Sequence, residues 1–344
     1  MVQPRDYSLD FFKGITAISI IFIHTVWWTG QSYVPDFIRQ YSLLLDVPLF
    51  FFLSGASATF GFEKAKPFSG IVRLILMYTL FYAVYTIIVN PANTFEEIIQ
   101  TLFMKYSSTD KLMVVSGSAW FIPIFVVVYI VGFIIVKHTE TNVIIPLICA
   151  LLFYGIFAYE EIPFLHGLTA LSVTSDFLFF YLFFFLLGYY FYKHFRFFEW
   201  HRVAGGVLFF IALTALIVHF YNIPFDLQSQ KFPVKYHYLV ASLLSVSLTI
   251  LLSKYIKKES FITHIGKNAI AFYIAQGISS SMINNLVRSL EMDWFPKLAI
   301  VFTCNLTGAV IIAKLIIYAF GNYNKLVNKG FNYLDKSSLK VLKS

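Results

Sequence analysis

Charge is what this sequence has least of. Only 13% of its 344 residues are Asp, Glu, Lys or Arg, about half of the roughly 25% usual in soluble domains. A chain so poor in charge cannot clothe a soluble surface, and a soluble domain is excluded. Cysteine is nearly missing as well, with Cys149 and Cys304 alone. Both fall inside apolar stretches, where small core residues are expected, so a disulfide framework is excluded. No apolar stretch carries histidines and carboxylates at ligand spacing, and no metal is expected. Internal repeats are lacking, as is the inverted hydropathy symmetry common in secondary transporters. The first apolar stretch ends in Trp27, Trp28 and Thr29, not in a small-residue cleavage site, so it is expected to be a retained helix and not a removed signal.

What is present is apolar: 58% of the residues are hydrophobic, and 40 are phenylalanine. A helix needs roughly 20 apolar residues to cross the hydrocarbon. Such segments recur at about 10–30, 42–60, 70–89, 119–137, 143–159, 176–193, 203–221, 237–255, 264–284 and 298–320. The chain reads as an all-α integral membrane protein of about ten transmembrane helices in one domain, 1–320. A basic tail, 321–344, follows and is expected to lie in the cytoplasm beside anionic lipid.

Basic residues set the orientation. With the N-terminus cytoplasmic, eighteen of the 26 Lys and Arg fall on the inner side, seven on the outer side, and Lys314 within the last span. Both termini are therefore expected inside, which requires an even number of spans. The net charge of +8 belongs to this bias, and no nucleic-acid partner is expected. Trp27, Trp28, Trp120 and Trp294 fall at outer span ends, where interfacial anchors sit. In the long outer loop, Phe95, Ile98, Ile99, Leu102 and Phe103 recur at helical spacing, as in a surface helix or a lid.

Ionisable groups inside a bilayer are expensive and usually functional. The first span carries Asp10, Lys13 and His24. Lys13 and His24 are eleven residues apart, near three turns, so they share a face about 16 Å apart along the axis. This suits acyl transfer across a membrane. A cation near the cytoplasmic end meets the phosphates of an acyl donor, and a histidine further out takes a hydroxyl proton or carries the acyl group. Plainer roles exist: Lys13 can snorkel, and His24 can bond a neighbouring helix.

The run Arg5, Asp10, Phe12, Lys13, Gly14 to His24 resembles the opening helix of the acyltransferase-3 family of membrane O-acyltransferases, with a basic residue and a histidine separated by ten positions. Val47-Pro48-Leu49-Phe50-Phe51-Phe52-Leu53-Ser54-Gly55 is similar to its second-helix segment, and with Lys13 looks most like the sugar O-acetylase branch. Trp120-Phe121-Ile122-Pro123 and Ile265-Gly266-Lys267-Asn268-Ala269 resemble later family segments, in family order. The resemblance implies that His24 is catalytic, that Lys13 positions it or the donor, and that Arg73, with Lys66 upstream, meets acyl-CoA. Three positions depart from the family. Gly70 stands where the first of two arginines is usual. Asp46 or Val47, and Gln276, stand where many relatives have histidine. No role is carried over to these.

Other residues have two readings each. Asp10 pairs with Lys13 or is an N-terminal helix charge. Ser54 lines the path, or belongs to the small-residue seam Ser54–Ala58. Trp120 stacks on a sugar or anchors the interface. Asn268 caps the ninth helix or lines the donor cavity. The expected activity is an acetyl-CoA-dependent O-acetyltransferase of a bacterial plasma membrane, acting on a hydroxyl of an extracytoplasmic or lipid-linked glycan. Its partners would be the bilayer, that acceptor and glycan synthesis or export machinery. No soluble acyl-carrying domain is appended, so direct transfer is expected. A transporter of a glycan or lipid-linked sugar is the alternative.

Overall fold

The computed structural model of the chain describes residues 6–63, 69–89, 112–118, 120–153, 169–170, 173–194, 200–222, 226–231, 234–287 and 290–341. Helices dominate, because hydrocarbon offers backbone groups no partner but the chain itself. They are α1 (Tyr7–His24), continued by a π-helical turn (Thr25–Thr29), then α2 (Asp36–Ser42), α3 (Val47–Glu63), α4 (Ser69–Val89) and α5 (Met113–Ser118). There follow α6 (Phe121–His138), α7 (Thr141–Phe153), α8 (Ser175–His194), α9 (Trp200–Phe220) and α10 (Tyr236–Ser253). The last three are α11 (Phe261–Lys267), α12 (Ala269–Val287) and α13 (Trp294–Val341). A two-residue antiparallel pair, Thr169–Ala170 with Val173–Thr174, precedes α8.

All ten apolar segments read from the sequence hold helix. Among the described residues four stretches are long and apolar enough to cross a membrane: Tyr7–Thr29, Asp36–Phe60, Phe121–His138 and Trp294–Gly321. Their burial sorts them. The first two are 61% and 67% buried and lie inside the bundle, whereas Trp294–Gly321 is 22% buried and runs along its outside. The centre is filled by α8, where every residue from Phe180 to Leu186 is buried, as expected of a helix apolar on all faces. Phe51 of α3 stacks on Tyr181 of α8 at 4.4 Å between centroids. The exposed Leu208, Phe209, Leu216 and Phe220 of α9 and Ile311, Leu315 and Tyr318 of α13 are surface that only an apolar solvent tolerates at this density.

Small residues set the two closest crossings. A Cβ on Gly55 of α3 would overlap the carbonyl of Phe185 in α8, and one on Gly188 would overlap the carbonyl of Phe52. The pair is reciprocal, so the two backbones touch, in the packing mode lipid-embedded helices favour. The second crossing seats α1 on α11. A Cβ on Gly14 would strike the carbonyl of Ile262, and one on Gly266 would strike the carbonyl of Asp10.

Several expectations are corrected. The ninth segment is not one helix. A Ser260–Thr263 capping box starts α11, and the chain breaks at Asn268, whose side chain donates back to the His264 carbonyl at 3.1 Å before α12 begins. Cys149 and Cys304 are exposed on α7 and α13, not core residues, because each projects from the outer face of its helix. The surface helix expected around 95–103 lies outside the described residues. The end of that same loop, α5, packs into the bundle, where Ser281 of α12 accepts the Val114 N–H at 3.1 Å.

The crossings predict opposite responses among glycines. Gly55→Val and Gly188→Val should abolish recovery of monodisperse protein in detergent, since neither backbone can retreat without opening the bundle. Gly205→Ala on α9, where an added Cβ meets nothing, should leave recovery and apparent Tm unchanged or slightly raised.

Candidate functional site

His24 is the last residue of α1, and the turn after it is π-helical. Such turns are rare and often mark functional positions. Here the turn is held by side chains. Thr25 Oγ1 donates to the Ile21 carbonyl at 2.8 Å, and Thr29 Oγ1 to the Thr25 carbonyl at 2.5 Å. Asn305 of α13, fully buried, donates to Thr25 Oγ1 at 2.8 Å and to Ser280 Oγ of α12 at 2.7 Å. The backbone beside His24 is thus tied to both helices. The imidazole itself is held by Gln276 of α12, with Nδ1 to Oε1 at 2.6 Å. When Nδ1 donates to this amide oxygen, the neutral imidazole keeps its lone pair on Nε2.

His24 opens onto a cavity of about 190 Å³ walled by Trp27, Trp28, Trp120, Asp46, Gln228 and Lys231, among others. Asp46 and Lys231 form a buried ion pair at 2.6 Å. The same carboxylate oxygen, Oδ2, also accepts from the Tyr238 hydroxyl at 2.7 Å. Its other oxygen, Oδ1, is buried with no hydrogen-bond partner among the described residues. The Lys231 ammonium lies 5.5 Å from the centre of the Trp120 ring and 5.9 Å from that of Tyr238, distances at which a cation is drawn to a ring face. The loop that delivers Lys231 is pinned by Gln40 of α2. Gln40 Oε1 accepts from the Leu227 N–H at 2.8 Å, and its Nε2 donates to Asp226 at 3.1 Å.

A second cavity, about 300 Å³, lies along α1 at the Lys13 end. Lys13, Ser54, Lys267 and Asn268 supply its polar lining, and Phe50, Phe121, Phe125 and Leu74 much of the rest. Lys267 pairs with Glu259. Tyr273 of α12 lines both cavities.

The sequence-predicted residues therefore divide. Lys13, Asn268 and Ser54 come together in one cavity, and His24 with Trp120 in the other. Ser54 is in the Lys13 cavity, away from the histidine, while the adjoining Gly55 makes the seam. Asp10 is buried on α1 where Gly266 crosses and lines neither cavity. Arg73 sits on α4, which borders the Lys13 cavity through Gly70, Leu74 and Met77. Its side chain, and all of Lys66, lie outside the described residues. Trp27, Trp28 and Trp120 line the His24 cavity, and Trp28 is also exposed at the surface, at 36%.

Sequence reasoning missed Asp46, Lys231, Gln276 and Tyr273. Gln276 had a signal, a long polar side chain in an apolar helix, but the residue differs from the family's usual histidine. Lys231 had none: in a polar loop it reads as one more outer cation.

The ion pair predicts a non-additive stability cycle. Asp46→Leu or Lys231→Met alone strands a buried charge and should cost about 3–5 kcal/mol. The double variant should recover most of that loss. Apparent Tm of the four proteins, followed by tryptophan fluorescence in one detergent, checks it.

A family model described as an acyltransferase domain, Acyl_transf_3, matches residues 6–314, nearly the whole chain. Searches of curated proteins and of solved structures return no significant match. The matched region contains His24, Lys13 and Gln276, and the chain belongs to the acyltransferase-3 family of membrane acyltransferases.

Proposed function

We propose that this protein is an O-acetyltransferase that takes acetyl from acetyl-CoA at the cytoplasmic face and places it on a hydroxyl of an extracytoplasmic or lipid-linked glycan. The observation that carries the reading is the pair of cavities along α1, one holding Lys13 and the other His24, with Tyr273 lining both. Two cations, Lys13 and Lys267, suit the phosphates of the donor, and Asn268 supplies a polar edge. Arg73 and Lys66 would add charge from α4 and the segment before it. The apolar lining by Phe50, Phe121 and Phe125 suits the pantetheine arm and acyl group. The ten apolar helical segments and the bias of basic residues support a ten-span chain with both termini in the cytoplasm of a bacterial plasma membrane. The basic tail beyond residue 320 would rest on anionic lipid there.

In the acceptor cavity, Trp27 and Trp120 offer flat faces to a sugar ring, and Gln228 offers a polar side chain to its hydroxyls. His24 Nε2 takes the proton of a second hydroxyl as its oxygen attacks the thioester carbonyl. The carbon–sulfur bond breaks, and the proton passes from His24 to the departing sulfur, leaving an O-acetyl ester and CoA. Gln276 keeps the imidazole in the tautomer and orientation this requires. Lys231 positions Asp46 and supports the Trp120 wall.

Transfer of radiolabelled acetyl from acetyl-CoA into glycan, in membranes with matched expression, tests the reading. His24→Ala should lower incorporation about 100-fold or more, the scale of a lost general base. Lys13→Met should raise the KM for acetyl-CoA with a smaller effect on kcat. Gln276→Leu should lower kcat and leave that KM near wild type. Full incorporation by His24→Ala removes His24 from the mechanism. Glycan export that depends on the protein, without label incorporated by the wild type, favours transport.

A further inference from the structure

The wall between the two cavities is the least explained part of the molecule. Tyr273 is the one described residue on both linings. It precedes Gln276 by three residues on α12, about 4.5 Å along the axis at 1.5 Å per residue. It follows Asn268 by five, about 7.5 Å by the same rise. It therefore stands on α12 between the Asn268 end of one cavity and the Gln276 that holds the imidazole in the other.

That ring is fixed. Its hydroxyl donates to the Ser118 carbonyl at 2.5 Å, which ties it to the end of α5. The ring packs on Phe121 at 5.1 Å between centroids, tilted by 45°. Phe121 is itself wedged between Phe51 at 5.6 Å and Phe125 at 5.5 Å, so the support cannot swing aside. Beyond Tyr273 the His24 cavity holds only about 190 Å³, below the range of roughly 300–1,000 Å³ for pockets that enclose drug-sized ligands. That space must take the acyl group together with part of the acceptor.

Resting on the acyl-transfer reading above, we propose that Tyr273 is a specificity-determining residue: its anchored ring forms the neck between donor and acceptor cavities and admits a two-carbon acyl group while rejecting longer ones. A rigid aromatic wall discriminates by steric overlap. Each added methylene must displace the ring, its Ser118 bond or the Phe121 support. Discrimination of about 10- to 200-fold per methylene is the usual reach of an apolar wall.

The test uses membranes containing the full chain, with acyl-labelled acetyl-, propionyl-, butyryl- and hexanoyl-CoA as donors and incorporation into glycan as the readout. Wild type should favour acetyl over butyryl by at least about 10-fold. Tyr273→Ala should raise the butyryl-to-acetyl ratio by about 10-fold or more. Tyr273→Leu, which fills part of the space, should give an intermediate ratio and serves if the alanine variant folds poorly. Tyr273→Phe, which keeps the ring, should retain the acetyl preference. Equal use of acetyl and butyryl by wild type, or an unchanged ratio in active alanine or leucine variants, overturns the role of Tyr273 and leaves the acyltransferase reading standing. No incorporation by wild type from any of the four donors overturns that reading, and the neck with it.

Discussion

The whole arrangement depends on how α1 is seated. Its lower half is fixed by contact of backbones, since Gly14 and Gly266 leave no room between α1 and α11. Its upper end is fixed by hydrogen bonds, through Asn305 to Thr25 and Ser280. Between these points the helix cannot slide or turn, so Lys13 and His24 hold fixed depths in the bundle. The His24–Gln276 bond then only sets the rotation of a ring whose position is already decided. Catalysis by proximity needs this: a displacement of an ångström at the base is costly in rate.

Polar groups elsewhere in the bundle serve two purposes beyond bonding back to their own helix, as Thr16 does to the Phe12 carbonyl at 2.7 Å: they engage another helix or line a cavity. Asn305 serves the first purpose. Asp46 serves both, with Oδ2 held by Lys231 and Tyr238 while the residue lines the His24 cavity. The ion pair joins the start of α3 to the loop that Gln40 pins, and so builds the His24 cavity from segments far apart in the chain. The break at Asn268 does similar work for the other cavity, because it ends α11 at a point where Lys267 and Asn268 both reach the Lys13 cavity.

Much of this was legible in the sequence, for physical reasons. Ten apolar segments announce helices because bilayer thickness fixes their length. Lys13 and His24 announce a shared face because helical periodicity is regular and charge in an apolar helix is rare. The site's other half was not legible. Asp46 and Lys231 meet across 185 positions, and Tyr273 reads as one aromatic among many until both cavities are seen. Asn268 looked like a cap at the start of a helix or a cavity residue; it lines the cavity, and its side chain closes the end of α11 instead, donating to the His264 carbonyl. The tryptophans at span ends have the composition of interfacial anchors, and only tertiary packing shows that three of them also line the His24 cavity.

The central claim is that donor and acceptor occupy separate cavities joined at Tyr273. Cryo-electron microscopy of the full chain with a non-reactive acetyl-CoA analogue, in which the thioester sulfur is replaced by a methylene, tests it most directly. The account predicts the nucleotide at Lys13 and Lys267 and the acetyl group against Tyr273, pointing at His24. Nucleotide density in the cavity of Trp120 and Lys231, or an acetyl group remote from Tyr273 and His24, would contradict it.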